Sequence, residues 1–149
     1  MRAVVQRVKN ASVTVEGNTI SSIGTGLLVL VGISRDDTRR DMEYIADKCL
    51  NLRVFEDADD IMNLSLMDIE GELLLVSQFT LYGDARKGRR PSYIHAAPPD
   101  VARDMFAECV EIFRQKWPKI QTGQFRAMMD VSLINDGPVT ILLDSKKEF

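Results

Sequence analysis

Several residue types that enzymes commonly use are scarce in this sequence. His95 is the single histidine, so a histidine-based zinc site or a Ser-His-Asp triad would depend on it alone. It lies in a long connection without a patterned partner, which favours a surface or structural role. No glycine-rich loop with phosphate-binding spacing is present, and nothing in the sequence requires a metal or another cofactor.

Long apolar runs and excess positive charge are also missing. The longest run, "LLVLVGI", has the length of a strand, so we expect no membrane span and no signal peptide. The net charge of −3 argues against strong sequence-independent binding of nucleic acid, but it leaves room for a small basic patch that reads one end. Cys49 and Cys109 lie in apolar helical patterns, so we expect buried free thiols and a cytoplasmic location.

The length predicts a single domain, 1–149, and the apolar patterning, rich in strands with two helices, predicts the α/β or the α+β class. Its helices are expected to pack on one side of a curved sheet. Thr38 with Asp41 forms a plausible N-cap pair for the first helix. The second helix has an apolar face of Val101, Met105, Cys109, Ile112 and Phe113. The predicted helices cover 36–52 and 98–117, and the main strands cover 2–8, 11–16, 23–33, 72–79, 125–134 and 139–144.

Two charged clusters have to be interpreted. Asp57, Asp59 and Asp60 lack the glycine and the distal glutamate of an EF-hand loop, so they indicate a solvated loop. The segment "ARKGRRP" carries four cations, and it is either a solvated cluster or a patch that contacts phosphate. Those cations are Arg86, Lys87, Arg89 and Arg90.

"SQFTL", residues 77–81, ends an apolar strand with polar side chains and enters a connection of about twenty residues. Its hydroxyl and amide groups could donate hydrogen bonds to a developing oxyanion, and Phe79 could stack on a base. Ordinary polarity at a strand end explains the same residues without a function.

"NDGPVT", residues 135–140, lies between two strand-like segments, and Asp-Gly in that setting predicts a hairpin turn. Pro138 would then begin the next strand, where proline supplies no amide donor. Turn chemistry therefore explains Asn135, Asp136 and Gly137 and leaves the proline unexplained.

These two segments resemble the paired signature motifs of the D-aminoacyl-tRNA deacylases. The likeness is collinear over the whole chain, and either short motif would be weak evidence without the other. It includes "QRV..ASVTVEG" near the start, "GLLVLVGI", "IMNLSL" at 61–66, "KG.RPS" at 87–92 and "TG.F.A.M.V.L.NDGPVT" at 122–140.

The resemblance implies a single α/β domain with a curved, largely antiparallel, barrel-like sheet and two main helices. It implies a homodimeric enzyme that hydrolyses the ester between a D-amino acid and the 3′-terminal adenosine of tRNA. It also implies a cis Gly137–Pro138 bond that reaches into the partner subunit's site, where its carbonyls hold the α-amino group and exclude an L side chain. Separation of two substrates that differ only in the hand of the amino acid needs a clash with the wrong hand, since both carry the same groups. Glycine has no side chain to exclude, so a glycyl ester should also be cleaved.

Further roles follow from the resemblance for individual residues. The reacting ester is expected near Ser77, Gln78, Phe79 and Thr80. Phe79 would help to hold the terminal adenosine, Arg7 would brace the Gly-Pro loop, and Met129 would line the pocket. Lys87, Arg89 and Arg90 would contact tRNA.

Arg126 departs from the family, which usually has a small residue after Phe125. Its side chain either contacts the tRNA end, narrows the entry to the pocket or points to solvent. The sequence leaves open whether Thr80 is the nucleophile or whether donors stabilise the oxyanion while the tRNA 2′-hydroxyl assists. We favour the second mechanism, because the sequence offers no base beside Thr80. A tRNA-end binding module without turnover, and a structural dimerisation protein, are the competing interpretations.

Overall fold

The computed structural model describes all residues, 1–149. The elements in chain order are β1 Arg2–Val15, β2 Asn18–Ile23, β3 Gly26–Gly32, α1 Arg39–Asn51, β4 Phe55–Glu56, β5 Met62–Leu64, β6 Glu72–Ser77, a 3-10 helix Phe79–Tyr82, α2 Pro99–Lys116, β7 Ile120–Thr122 and β8 Asp130–Asp144. One long strand organises the main sheet: β1 pairs antiparallel with β2, β3 and β8, while β6 pairs parallel with β3 and β7.

The sheet curls until its ends almost meet, which confirms the barrel-like α/β fold. The backbone N–H of Ser22 in β2 donates to Oε1 of Gln121 in β7 at 2.9 Å, although these strands do not pair. β3 and β6 read as nearly continuous apolar runs because they are covered on both faces. The sheet is mixed, with three antiparallel and two parallel pairings among its strands.

The two helices cover the largest apolar cluster of the protein. The first begins where expected, and the backbone N–H of Thr38 donates to the Asp41 carboxylate at 2.8 Å. Cys49 and Cys109 are free and buried between the helices and the sheet, and burial raises the pKa of the Cys109 thiol to about 12. Val101 lies 45% exposed and outside the core, because the buried stripe of α2 runs through Ala102 and Phe106 instead. Neither helix is long and apolar enough to span a membrane.

Two strand predictions were wrong. Residues 2–8 and 11–16 form one strand, β1, because β8 pairs with both halves and holds them in line. The predicted hairpin at 135–140 does not reverse the chain. Residues 130–135 and 140–144 both pair antiparallel with β1, so they run in the same direction and belong to the single strand β8. The short strand β7 was not predicted.

Candidate functional site

The end of β6 carries the first motif to the surface. Ser77 pairs with Val31 of the parallel strand β3, and the N–H of Gln78 donates to the Val31 carbonyl at 2.7 Å. The chain then turns into the 3-10 helix. A Cβ on Gly32 would lie 2.9 Å from Cβ of Leu81, so this helix packs directly on the β3 backbone. The close packing fixes where the side chains of the motif emerge.

Phe79 projects from this helix with 57% of its surface exposed. Tyr93 packs edge-on against it, with ring centroids 5.0 Å apart and planes inclined by 67°. Ile94 beside it is also exposed. The pair forms an apolar, aromatic surface next to polar groups, which suits a nucleotide base. Sequence reasoning missed Tyr93 as a site residue, because it lies fourteen positions from Phe79 along the chain and only folding joins them.

Thr80 has one side-chain hydrogen-bond partner, the amide of Gln78, which donates to its hydroxyl oxygen. A carboxamide cannot take up a proton at neutral pH, so this partner does not act as a general base. Activation of a threonine hydroxyl requires such a base. The side-chain contact of Thr80 therefore supplies no general base.

The turn that follows β7 borders the same strand end. The N–H of Gly123 donates to the Leu75 carbonyl at 3.1 Å, and a Cβ on Gly123 would lie 2.8 Å from the Met129 sulfur and 3.4 Å from Val76. Met129 therefore sits beside the residue that precedes Ser77. Phe125 in this turn stacks on Phe106 of α2 at 6.0 Å, which anchors the turn to the core.

The second motif forms a large bulge within β8, residues 136–139, which we call the excursion. Four residues, 136–139, stand opposite Arg7 alone, because Asn135 pairs with Val8 and Thr140 pairs with Gln6. The side chain of Asn135 holds the excursion in place. Its Oδ1 accepts a hydrogen bond from the backbone N–H of Val139 at 3.1 Å, and its Nδ2 donates to the Thr140 hydroxyl at 3.0 Å.

Two residues of this excursion have an uncommon backbone geometry. The Gly137–Pro138 peptide bond is cis, and Gly137 has a φ of +121°, a region that residues with side chains rarely adopt. Both residues are exposed, so the main chain of the dipeptide forms part of the protein surface.

Arg7 is 6% exposed and lies beneath this excursion. Its Nε donates to the Asp136 carbonyl at 3.1 Å, and its Nη1 donates to the Val54 carbonyl at 2.7 Å. The carboxylates of Asp136 and Glu56 lie 3.4 and 3.7 Å away. The guanidinium thus ties the loop to the segment that enters β4, which explains why a charge points inward from β1.

The basic connection, the loop from Asp84 to Ser92 that contains "ARKGRRP", is closed by backbone hydrogen bonds between its two ends. Asp84 and Ser92 exchange two backbone hydrogen bonds of 2.8 and 2.9 Å. Arg86 is held by both oxygens of Asp84, at 2.9 and 2.6 Å, and this contact lowers the pKa of the Asp84 carboxyl. The charge of Arg86 is therefore neutralised by Asp84. The remaining cations, which are exposed and form no ion pair, are Lys87, Arg89 and Arg90.

Other candidate groups have local explanations. Asp57 accepts from the N–H groups of Asp59 and Ile61, at 2.9 and 3.1 Å, so the acidic cluster orders its own loop. No three acidic, cysteine or histidine side chains converge as metal ligands. His95 is exposed and lines a cavity of about 660 Å³ together with the Asp84–Arg86 pair.

The two motifs lie at different places on the main sheet. β3 and β1 stand between β6 and β8, a path of about 14 Å along the curved sheet. Ser77 is level with Ala3 through Val31, whereas the excursion is level with Arg7, about 13 Å further along β1. From Ser77 the chain continues to Thr80 in the direction away from Arg7. Strand order and register therefore separate Thr80 from Gly137–Pro138 within one protomer.

Comparisons with known proteins cover nearly the whole chain. The sequence model of the D-Tyr-tRNA(Tyr) deacylase family matches residues 4–144. Proteins named D-aminoacyl-tRNA deacylase from Thermosipho africanus and Clostridioides difficile are each 60% identical over 149 residues, with full coverage of both chains. The protein of that name from Thermotoga petrophila is 59% identical, also over both full lengths.

Two solved structures share the fold. The first is described as a c-Myc DNA unwinding element binding protein; it is 46% identical, with a TM-score of 0.93, and 97% of this chain matches 98% of it. The second is described as a probable eukaryotic D-amino acid tRNA deacylase. It has a TM-score of 0.81 over 95% of this chain and 97% of the other, and at 17% identity it supports the fold alone.

Proposed function

Because the chain belongs to the D-Tyr-tRNA(Tyr) deacylase family, we propose that it hydrolyses the ester that joins a D-amino acid to the 3′-terminal adenosine of tRNA. The products are free tRNA and the D-amino acid. The observation that carries the proposal is the family match across 4–144, since that span contains both "SQFTL" and "NDGPVT". Such an activity removes wrongly charged tRNA in the cytoplasm, before the ribosome uses it.

The ester is an activated bond, so hydrolysis needs a held substrate and stabilisation of the oxyanion more than a strong nucleophile. We assign these tasks to the surface formed by Ser77, Gln78 and Thr80, whose donors lie together at the end of β6. The 2′-hydroxyl of the terminal adenosine assists the attacking water. Phe79 and Tyr93 hold the adenine by stacking, and Met129 closes the side of the pocket.

Selection for the D configuration falls to Gly137 and Pro138 of a second protomer in a homodimer. The separation of the two motifs within one chain supports this arrangement. The main chain of the excursion meets the Cα of the substrate and leaves no room for an L side chain. A rigid backbone, braced by Arg7, excludes the wrong hand better than a mobile side chain does.

The tip of the basic connection supplies the sequence-independent grip on tRNA. Lys87, Arg89 and Arg90 carry unmatched charge in a protein whose net charge is −3, so phosphate contacts concentrate there. We expect tRNA affinity to fall steeply with salt for this reason.

Release of amino acid from charged tRNA tests the function directly. We expect D-tyrosyl-tRNA and glycyl-tRNA to be hydrolysed and L-tyrosyl-tRNA to survive, with release followed by loss of acid-precipitable label. Survival of the glycyl ester, at enzyme concentrations that clear a D-aminoacyl ester, would overturn exclusion by the backbone as the source of selectivity.

Removal of the Thr80 hydroxyl should weaken the catalysis without abolishing it. Thr80→Val keeps the shape of the side chain, and we expect kcat for D-tyrosyl-tRNA to fall by about 100-fold at most, because the hydroxyl is one oxyanion donor among several. Thr80→Ser, which retains the hydroxyl, is the control. A fall of about 10⁴-fold, or an acyl ester trapped on Thr80 and seen by mass spectrometry, would instead establish a threonine nucleophile.

Mixing two inactive variants tests whether each active site contains residues from both subunits. Gly137→Ala damages the excursion and Phe79→Ala damages the adenosine surface, so each homodimer should be poorly active. Mixed dimers would contain one site built from two intact halves, and random reassociation should restore about a quarter of wild-type activity. If the mixture stays as inactive as its components, or if an active monomer is found by light scattering, the cross-subunit site is wrong.

A second candidate function is binding of the tRNA end without turnover. It is favoured by the neighbour at 46% identity, whose description refers to nucleic-acid binding rather than hydrolysis. Tight binding of D-tyrosyl-tRNA without release of tyrosine would support this alternative.

A further inference from the structure

Arg126 occupies an unusual backbone conformation for its residue type. Its φ is +62°, in the left-handed region that glycine adopts freely and that costs other L residues free energy. Five residues other than glycine have positive φ in this protein, and the other four lie in turns outside the 123–129 segment: Glu16, Asp60, Glu70 and Lys147. An arginine at such a position calls for a compensating role.

The place of Arg126 in the fold points to that role. It lies in the turn closed by the Ala127 N–H, which donates to the Gln124 carbonyl at 3.2 Å. The same turn begins at Gly123 against Leu75 and ends at Met129 beside Val76. Stacking of Phe125 on Phe106 holds it in place. Arg126 therefore stands on a fixed support at the rim of the strand end that carries Ser77.

The charge of Arg126 is available to a ligand. Its side chain is exposed, and it takes part in none of the ion pairs of the structure. Exposure argues against a role in narrowing the pocket, which needs a side chain folded inward. A long, unpaired cation beside a site for the 3′-terminal nucleotide is placed to meet the phosphates of the preceding nucleotides.

We propose that Arg126 binds a backbone phosphate of the single-stranded acceptor end of tRNA, from the turn that follows β7. This inference rests on the proposed function, because it takes tRNA as the substrate. It adds a contact that the two signature motifs do not contain. The contact acts on substrate binding and leaves the chemistry at the ester unchanged.

Four variants and two substrates test the inference. Arg126→Ala and Arg126→Gly remove the cation, and Arg126→Lys keeps it. Lys116→Ala is the control for net charge: it removes an exposed cation at the C-terminal end of α2, before β7. The substrates are D-tyrosyl-tRNA and the D-tyrosyl ester of adenosine, which has no phosphate. Binding of uncharged tRNA is measured at several salt concentrations.

With D-tyrosyl-tRNA we expect Arg126→Ala and Arg126→Gly to raise KM about threefold to fivefold at unchanged kcat. Arg126→Lys should retain most of the affinity, and all variants should hydrolyse the adenosine ester like the wild type. The slope of log Kd against log salt should fall by about 0.7 for the loss of one phosphate contact on a single strand. The melting temperature of Arg126→Gly should not fall, because glycine relieves the left-handed backbone.

Each contrary outcome has a distinct meaning. If the wild type leaves the adenosine ester and D-tyrosyl-tRNA intact, the proposed function fails. If the wild type hydrolyses both and Arg126→Ala shows the same KM and salt slope, the phosphate contact is wrong. An equal loss of affinity in Lys116→Ala would assign the effect to net charge and would also overturn the contact.

Discussion

Replacement of Gly137 by alanine is expected to lower kcat/KM for D-tyrosyl-tRNA by about 100-fold. The new Cβ would lie 2.8 Å from Cγ2 of Val139 and 3.0 Å from Nη2 of Arg7, at a φ of +121°. These atoms belong to the excursion and its brace, so the loop has to shift. A misplacement of about 1 Å in a substrate-holding segment costs roughly 100-fold in rate.

Gly17 provides a matched control for this substitution. It also has a positive φ, +79°, but nothing lies within 4 Å of its Cβ position, and it belongs to the turn between β1 and β2. Gly17→Ala should keep wild-type kcat/KM although it also places a side chain at a positive φ. Wild-type activity in Gly137→Ala would show that the excursion does not hold the substrate.

Arg7→Ala should destabilise the protein by about 2–4 kcal/mol in the free energy of unfolding. The substitution removes the donors to the carbonyls of Asp136 and Val54, and Val54 is buried. A carbonyl that loses its partner in the interior keeps its desolvation penalty, and the missing guanidinium leaves a cavity. Denaturant unfolding followed by circular dichroism measures the change.

Arg7→Lys separates charge from shape. A single ammonium lacks the planar fork that reaches both carbonyls, so we expect a stability between those of the wild type and Arg7→Ala. Arg2→Ala serves as the comparison, because Arg2 also forms ion pairs from β1 but its side chain is 26% exposed, and its loss should cost less. Equal unfolding midpoints for Arg7→Ala and the wild type would exclude the bracing role.

The two helices and β6, together with the residues that they bury, could be predicted from local sequence. α1 begins at its Thr38–Asp41 box and buries the apolar stripe that its spacing indicated. β6 buries a continuous apolar run because it lies between two other strands. In these segments propensity, periodicity and tertiary packing all favour the same structure, so a window of ten to twenty residues is sufficient evidence.

The segment "NDGPVT" shows where local evidence fails. Asp-Gly between apolar runs favours a two-residue hairpin, yet β1 is long enough to pair with the chain on both sides of the motif. Continuous pairing along β1 outweighs the local turn preference, and the additional residues form an excursion opposite Arg7. Arg7 lies on the buried side of β1 with Ala3 and Val5, an uncommon place for a charge, and its contact with the excursion accounts for that place.

Short-range patterns and a collinear likeness were sufficient to predict the α/β class, both helices, the buried strands and the places of the two motifs. The tertiary structure was needed to show that Tyr93 packs on Phe79, that Arg7 ties Asp136 to Val54, and that the two motifs lie on different strands and at different levels of the sheet. Those facts depend on strand order and register. Strand order follows from how the whole chain buries its apolar surface, and no short segment contains that information.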